Sequence, residues 1–135
     1  MVQKVSTDDY VAVLEHMGRY CHYIDGGYPE LWASCFTEDG VFEGPATPGP
    51  VTGRSALKDF AAATYDSSKG GKIRHFVGNM FCDYGVDRDE IRASFYNYVT
   101  LWFDGGQGSV MALCSAILKR NGDGWLLKSN IYTAA

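Results

Sequence analysis

Residues 67–103 read SSKGGKIRHFVGNMFCDYGVDRDEIRASFYNYVTLWF, and across them the spacing of apolar residues changes from near 3.6 to 2. Within the stretch, SSKGG (67–71) stops a helix and GVDRD (85–89) is a turn between strands at about 72–84 and 90–103. Downstream, the turn signals DGGQG (104–108) and NGDG (121–124) separate two more strands, at about 109–120 and 125–133. Upstream the pattern is helical. Ser6 and Asp9 have capping-box spacing, and Tyr10, Val13, Leu14, Met17, Cys21 and Ile24 form one apolar stripe that ends at Gly26-Gly27. Tyr28-Pro29-Glu30 opens a second short helix through Leu31, Trp32 and Phe36, with the proline at a tolerated early position. Asp39-Gly40 is a turn before a short strand at 41–43. Residues 44–53 hold three of the four prolines and form a loop, and a third helix runs from about Ser55 to Tyr65.

Helices first and hairpin-linked strands afterwards is an α+β plan, in which helices cover one face of an antiparallel sheet. The 135 residues suffice for a single domain, 1–135, with a core that needs no disulfide or metal. The strand 90–103 is apolar on both faces, with Ile91, Ala93, Phe95, Val99, Leu101 and Phe103 on one and Tyr96, Tyr98 and Trp102 on the other. Helices can cover only one of them, so the second face implies a homo-oligomer, a dimer or trimer, through the sheet.

The net charge of −4, without any Lys/Arg cluster, argues against nucleic acid as a partner. No apolar run approaches the roughly 18 residues of a membrane span, and the opening MVQKVSTDDY lacks a signal-peptide core, so a cytoplasmic protein is expected. The four cysteines are scattered without ligand spacing, which predicts buried thiols and no metal site. An aromatic content of 14% suits the lining of a cavity for an apolar small molecule.

Three histidines are available. His16 and His22 fall outside the apolar arc of the first helix and are expected in solvent. His75 lies on a strand that is largely apolar on either face, and strict alternation groups it with Val77, Asn79 and Phe81. Asp25, at the end of the first helix, opposes the helix dipole, although Asp before Gly-Gly is also ordinary turn chemistry. Should Asp25 accept a hydrogen bond from one nitrogen of His75, the other nitrogen becomes a base positioned for proton transfer. No nucleophile elbow, P-loop, dinucleotide fingerprint or H-E-x-x-H accompanies the pair.

With RYCHYIDGGYPELWASCFTEDGVFEG (19–44), VTGRSALKDF (51–60), IRHFVGN (73–79) and KRNGDGWLLKSNIY (119–132) in this order, the chain resembles the SnoaL-like branch of the nuclear transport factor two-like superfamily. The resemblance spans nearly the whole chain. It implies a cone-shaped curved sheet wrapped over three N-terminal helices, with a ligand cavity inside. Scytalone dehydratases, bile-acid dehydratases and lindane dehydrochlorinase are similar in pairing an aspartate at the end of the first helix with a histidine on the first long strand. Asp25 and His75 fall on those positions, and Tyr20 matches the tyrosine of the bile-acid dehydratases. The scytalone pattern's second histidine and its asparagine fall at about Phe95 and Cys114, and the tyrosine before its aspartate is Ile24 here, so scytalone itself is not the expected substrate.

The resemblance implies a lyase without cofactor, a dehydratase of a hydrophobic cyclic or polyketide-like hydroxy-carbonyl compound, in an enclosed cavity. Asp25, His75 and Tyr20 would be its catalytic residues. Asn79, Phe95, Tyr96, Asn97, Tyr98 and Cys114 are the candidates for substrate contact. An isomerase or polyketide cyclase of the same fold uses the same first step, and a non-catalytic binding module is the third reading.

Overall fold

The computed structural model describes residues 3–102 and 107–134. Its elements are β1 (Gln3–Lys4), α1 (Thr7–Gly26), α2 (Pro29–Ser34), β2 (Phe36–Glu43), β3 (Val51–Thr52), α3 (Arg54–Ser67), β4 (Ile73–Tyr84), β5 (Glu90–Leu101), β6 (Gln107–Asn121) and β7 (Gly124–Ala134). The strands form one curved sheet in the order β1-β4-β5-β6-β7-β2-β3. Every neighbouring pair is antiparallel except β2 with β7, which run parallel. The expected α+β architecture, helices on one face of a largely antiparallel sheet, is therefore present.

Local chemistry accounts for the helix ends. The Ser6 hydroxyl caps α1 by accepting from the Asp9 amide at 3.2 Å, and Asp8 and Asp9 sit at the positive end of the dipole. Gly27 ends the helix in a left-handed conformation, φ 80°, with its amide donating to the Tyr23 carbonyl. Met17, Tyr20 and Val13 from α1, Trp32 from α2, Leu57 from α3 and Phe36, Ile91, Leu118 and Leu127 from the sheet are fully buried. Each such side chain contributes roughly 1.5–3 kcal/mol through burial. Trp32 is the hub of the aromatic contacts, with ring centroids of Tyr20, Phe36, Phe42 and Phe60 5.0–5.9 Å away.

Several expectations need correction. The second helix stops at Ser34, and Phe36 begins a strand through Glu43 where only 41–43 was anticipated. β3 adds two strand residues inside the proline-rich loop, at the sheet edge where prolines are tolerated. His16 is partly buried rather than solvated, its Nε2 2.9 Å from the Cys35 carbonyl. Phe103 and residues 104–106 of the turn signal DGGQG lie outside the described residues.

The main departure concerns strand faces. Between Gly78, opposite Tyr96, and Phe81, opposite Ser94, β4 carries one residue more than β5. Asn79 takes up the excess in a left-handed conformation, φ 51°. Alternation therefore restarts: His75 and Val77 face the helices, but so do Met80, Cys82 and Tyr84, while Asn79 and Phe81 are exposed on the outer face. A second such bulge occurs in β7, where Leu127 pairs with Leu118 but Ser129 pairs with Ile117. The buried residues accordingly switch from Trp125 and Leu127 to Asn130.

Candidate active site

Asp25 occupies the last turn of α1 and His75 the third position of β4. Among the described residues the first half of β4 has no strand on its edge, because β1 pairs only with Asp83 and Tyr84. The edge amide of His75 is taken instead by Asp25, whose Oδ2 accepts it at 3.0 Å. Oδ1 of the same carboxylate lies 2.5 Å from His75 Nδ1. A carboxylate can only accept, so Nδ1 carries a proton, and in the neutral ring Nε2 presents its lone pair. Both side chains are 10% exposed, screened from bulk water but not sealed from it.

Two glycines allow this approach. A Cβ on Gly27 would stand 2.8 Å from the Tyr65 ring, and one on Gly71, φ 85°, would meet the same ring at 2.8 Å and the Asp25 carbonyl at 3.1 Å. Only glycine lets the end of α1 and the start of β4 close on Tyr65 together.

A cleft of about 430 Å³ adjoins the pair, lined by Cys21, His22, Asp25, Arg74, His75 and Phe76. A smaller one of about 260 Å³ continues along α1 past Met17 and Gly18 to Val77. His22, Arg74 and Phe76 are exposed at the mouth, so the expected enclosed cavity is an open-mouthed cleft at this point. A larger cleft of about 570 Å³ lies at the other end of β4, between Lys4, Tyr10, Met80 and Asp83. Its lining holds no histidine, which leaves the Asp25–His75 pair, and not the greater volume, as the candidate site.

Tyr20 belongs to a second polar cluster. Its hydroxyl lies 3.1 Å from that of Tyr132 and accepts from Asn130 Nδ2 at 3.2 Å. Asn97 Nδ2 donates in turn to the Tyr132 hydroxyl at 2.5 Å. Burial pushes both phenols well above the ordinary tyrosine range, so they hold their protons as hydrogen-bond donors. The sheet register relates the two clusters: Asn97 is directly opposite Val77, and His75 is opposite Val99, so Asn97 and His75 are diagonal neighbours on the helix-facing side.

The remaining candidates divide by face. Phe95 and Cys114, directly opposite each other, are buried on the inner side, and Tyr132 pairs with Cys114 on the next strand. Asn79, Tyr96 and Tyr98 are exposed on the outer side, turned away from His75, as bulge and alternation require. Sequence reasoning gave no role to Asn130 or Tyr132. Strict alternation from Trp125 and Leu127 would have turned both outward, and only the bulge brings them in. Burial raises the thiols of Cys21, Cys35 and Cys114 to about 12 and that of Cys82 to about 11, which leaves all four as inert small hydrophobes at neutral pH. Among the described residues no three His, Cys, Asp or Glu side chains gather into a ligand set, and no helix is long and apolar enough to cross a membrane.

Comparison with known proteins places this geometry in context. The family model described as a SnoaL-like domain matches residues 5–130. No functionally curated protein matches the chain. Among solved structures, Aln2 from a Streptomyces species is similar with a TM-score of 0.88 and 22% identity, over 98% of this chain and 94% of that one. An NTF2-like protein with a cystatin-like fold from Novosphingobium aromaticivorans gives a TM-score of 0.83 and 19% identity, over 94% and 82% of the two chains. A protein from Catenulispora acidiphila in complex with S-DNPA gives 0.74 and 27%, over 91% and 92%.

Proposed function

This chain belongs to the SnoaL-like domain family, and on that premise we propose that it is a cofactor-independent lyase that dehydrates a small hydrophobic hydroxy-carbonyl compound, cyclic or polyketide-like. The observation that carries the reading is the double contact of Asp25 with His75, which fixes the imidazole's tautomer and direction. His75 Nε2 removes a proton from the carbon next to the substrate carbonyl. The electron pair left behind forms the carbon–carbon double bond, and the neighbouring C–O bond breaks toward oxygen. Tyr20, through its contact with Tyr132, supplies a hydrogen bond or proton to that oxygen, which departs as water. Solvent then returns the proton from the imidazolium to the phenol, and Asp25 stabilises the cation in the interval. The S-DNPA complex of the Catenulispora acidiphila neighbour supports a small-molecule site on this fold.

The assignment is tested with two probes. In heavy water, 2-tetralone should exchange its α-protons in the presence of the protein, because exchange needs only the base. With 3-hydroxy-1-indanone the mass should fall by one water. His75→Ala should slow both reactions by about 10²–10⁴-fold, the usual worth of a positioned base, while the thermal midpoint stays close to that of the wild type. Exchange without loss of mass favours the isomerase or cyclase reading. Neither reaction, or equal loss of stability and activity in the variant, favours a binding module with a core histidine.

The partner best supported by the surface is a second copy of the chain. Phe76, Tyr98 and Met111 lie side by side across β4, β5 and β6 on the outer face, with Tyr96 and Leu113 in the next row, and all five are exposed. An apolar row of this extent suits a homo-oligomer contact.

A further inference from the structure

Asn97 has no exposed surface, yet its amide is only half satisfied. Nδ2 donates to Tyr132, while Oδ1 meets no donor among the described residues. Turning the amide by 180° exchanges its ends without solving this, since Oδ1 would accept from Tyr132 and Nδ2 would be left over. The hydroxyl protons raise the same demand. With the amides as placed, Tyr20 and Tyr132 each accept one amide proton and share one hydroxyl proton between them. The second hydroxyl proton then has no acceptor in the cluster. Asn130, equally buried, also keeps an unpartnered Oδ1. Buried polar groups in native proteins are almost always paired, so with the amide as placed the acceptor and the donor left open side by side describe a guest that is both.

A hydroxyl group has that character. A ketone or ether oxygen only accepts, and would leave the Asn97 carbonyl unmet. An ionised group fits poorly, because none of the four side chains in the cluster carries a charge. We infer that the Asn97 amide and the Tyr132 hydroxyl form a subsite for a neutral alcohol oxygen of the substrate, the oxygen that leaves as water. This assignment rests on the dehydratase reading for the fate of that oxygen, though not for its recognition. Tyr20 stands behind Tyr132 as a positioning residue, donating to it while Tyr132 donates to the guest. Asn97 and His75 are diagonal neighbours across β4 and β5, so the bound oxygen would lie on the same face of the sheet as the base that takes the proton.

The test compares 1-indanol with 1-methoxyindane, which share a ring and differ in the hydroxyl proton, by titration followed through side-chain amide NMR signals. The alcohol should bind about fivefold more tightly, the worth of one net hydrogen bond, and should move the Asn97 amide signal. Asn97→Leu and Tyr132→Phe should each erase the preference, and Tyr132→Phe serves alone if the leucine variant does not fold. His75→Ala should retain the preference, which separates this subsite from the base. Alcohol that binds no better than the ether, or not at all, overturns the assignment, as does a preference that survives Tyr132→Phe. A preference that meets these expectations beside a wild type without water-loss activity would retire the lyase and leave the alcohol site standing.

Discussion

At the scale of single residues, the three histidines show how much environment decides. His22 is exposed as its position on the helix wheel predicts, His75 is fixed by Asp25, and His16 is partly buried with the Cys35 carbonyl as its partner. Burial lowers the pKa of His16, and the bond to Cys35 opposes that shift only in part. The unfolded chain therefore takes up a proton at His16 before the folded one does. Stability from the neutral imidazole is complete above the unfolded value of about 6.5 and drains away as pH falls from there toward the lower folded value. His16→Gln keeps a side-chain donor for Cys35 but cannot titrate. Urea unfolding between about pH 7 and about pH 5 should show a loss of stability in the wild type that is missing from the variant. Equal losses in the two proteins would remove His16 from the account. The wheel alone could not reveal this, because a residue outside the arc of one helix can still be covered by the next, and here the end of α2 supplies the cover.

At the scale of elements, the sequence pattern reads the order of helices and strands and the two faces of β5 correctly, and misgroups only the side chains of β4 beyond Gly78. Periodicity made Asp25 and His75 visible as candidates, since each is a polar residue in an apolar setting. It could not show the bulges, because one extra residue in a strand leaves composition untouched and reverses every side chain beyond it. The bulge in β4 sends Asn79 outward, and the bulge in β7 brings Asn130 and Tyr132 inward. Asn79 itself was a clue, as asparagine is the non-glycine residue most at ease with positive φ. Asn79→Gly should leave the urea midpoint nearly unchanged, whereas Asn79→Val should destabilise by about 1–2 kcal/mol, the strain of a branched side chain at φ 51°. Equal effects of the two substitutions would mean that the bulge does not depend on that conformation.

At the scale of the whole molecule, the sheet presents one face to the helices and the other to whatever meets Phe76, Tyr98 and Met111. A charge in the middle of that row should break self-association, so Tyr98→Lys should sediment as a monomer at concentrations where the wild type is a dimer or trimer, with unchanged thermal stability per subunit. A monomeric wild type would dispose of the interface. Sequence reasoning could reach the existence of this face, from a strand apolar on both sides, but not its neighbours, because lateral register across three strands is set by turns and bulges. The same register divides the chain's labour. In the proposed mechanism the proton-taking half, Asp25 and His75, resides in the first 84 residues, between α1 and β4, whereas Asn97 and Tyr132, which would face a substrate oxygen, belong to β5 and β7. Chimeras joined at the β4–β5 turn would thus exchange what is recognised while inheriting an unaltered base, a route by which one scaffold could diversify its chemistry piecewise.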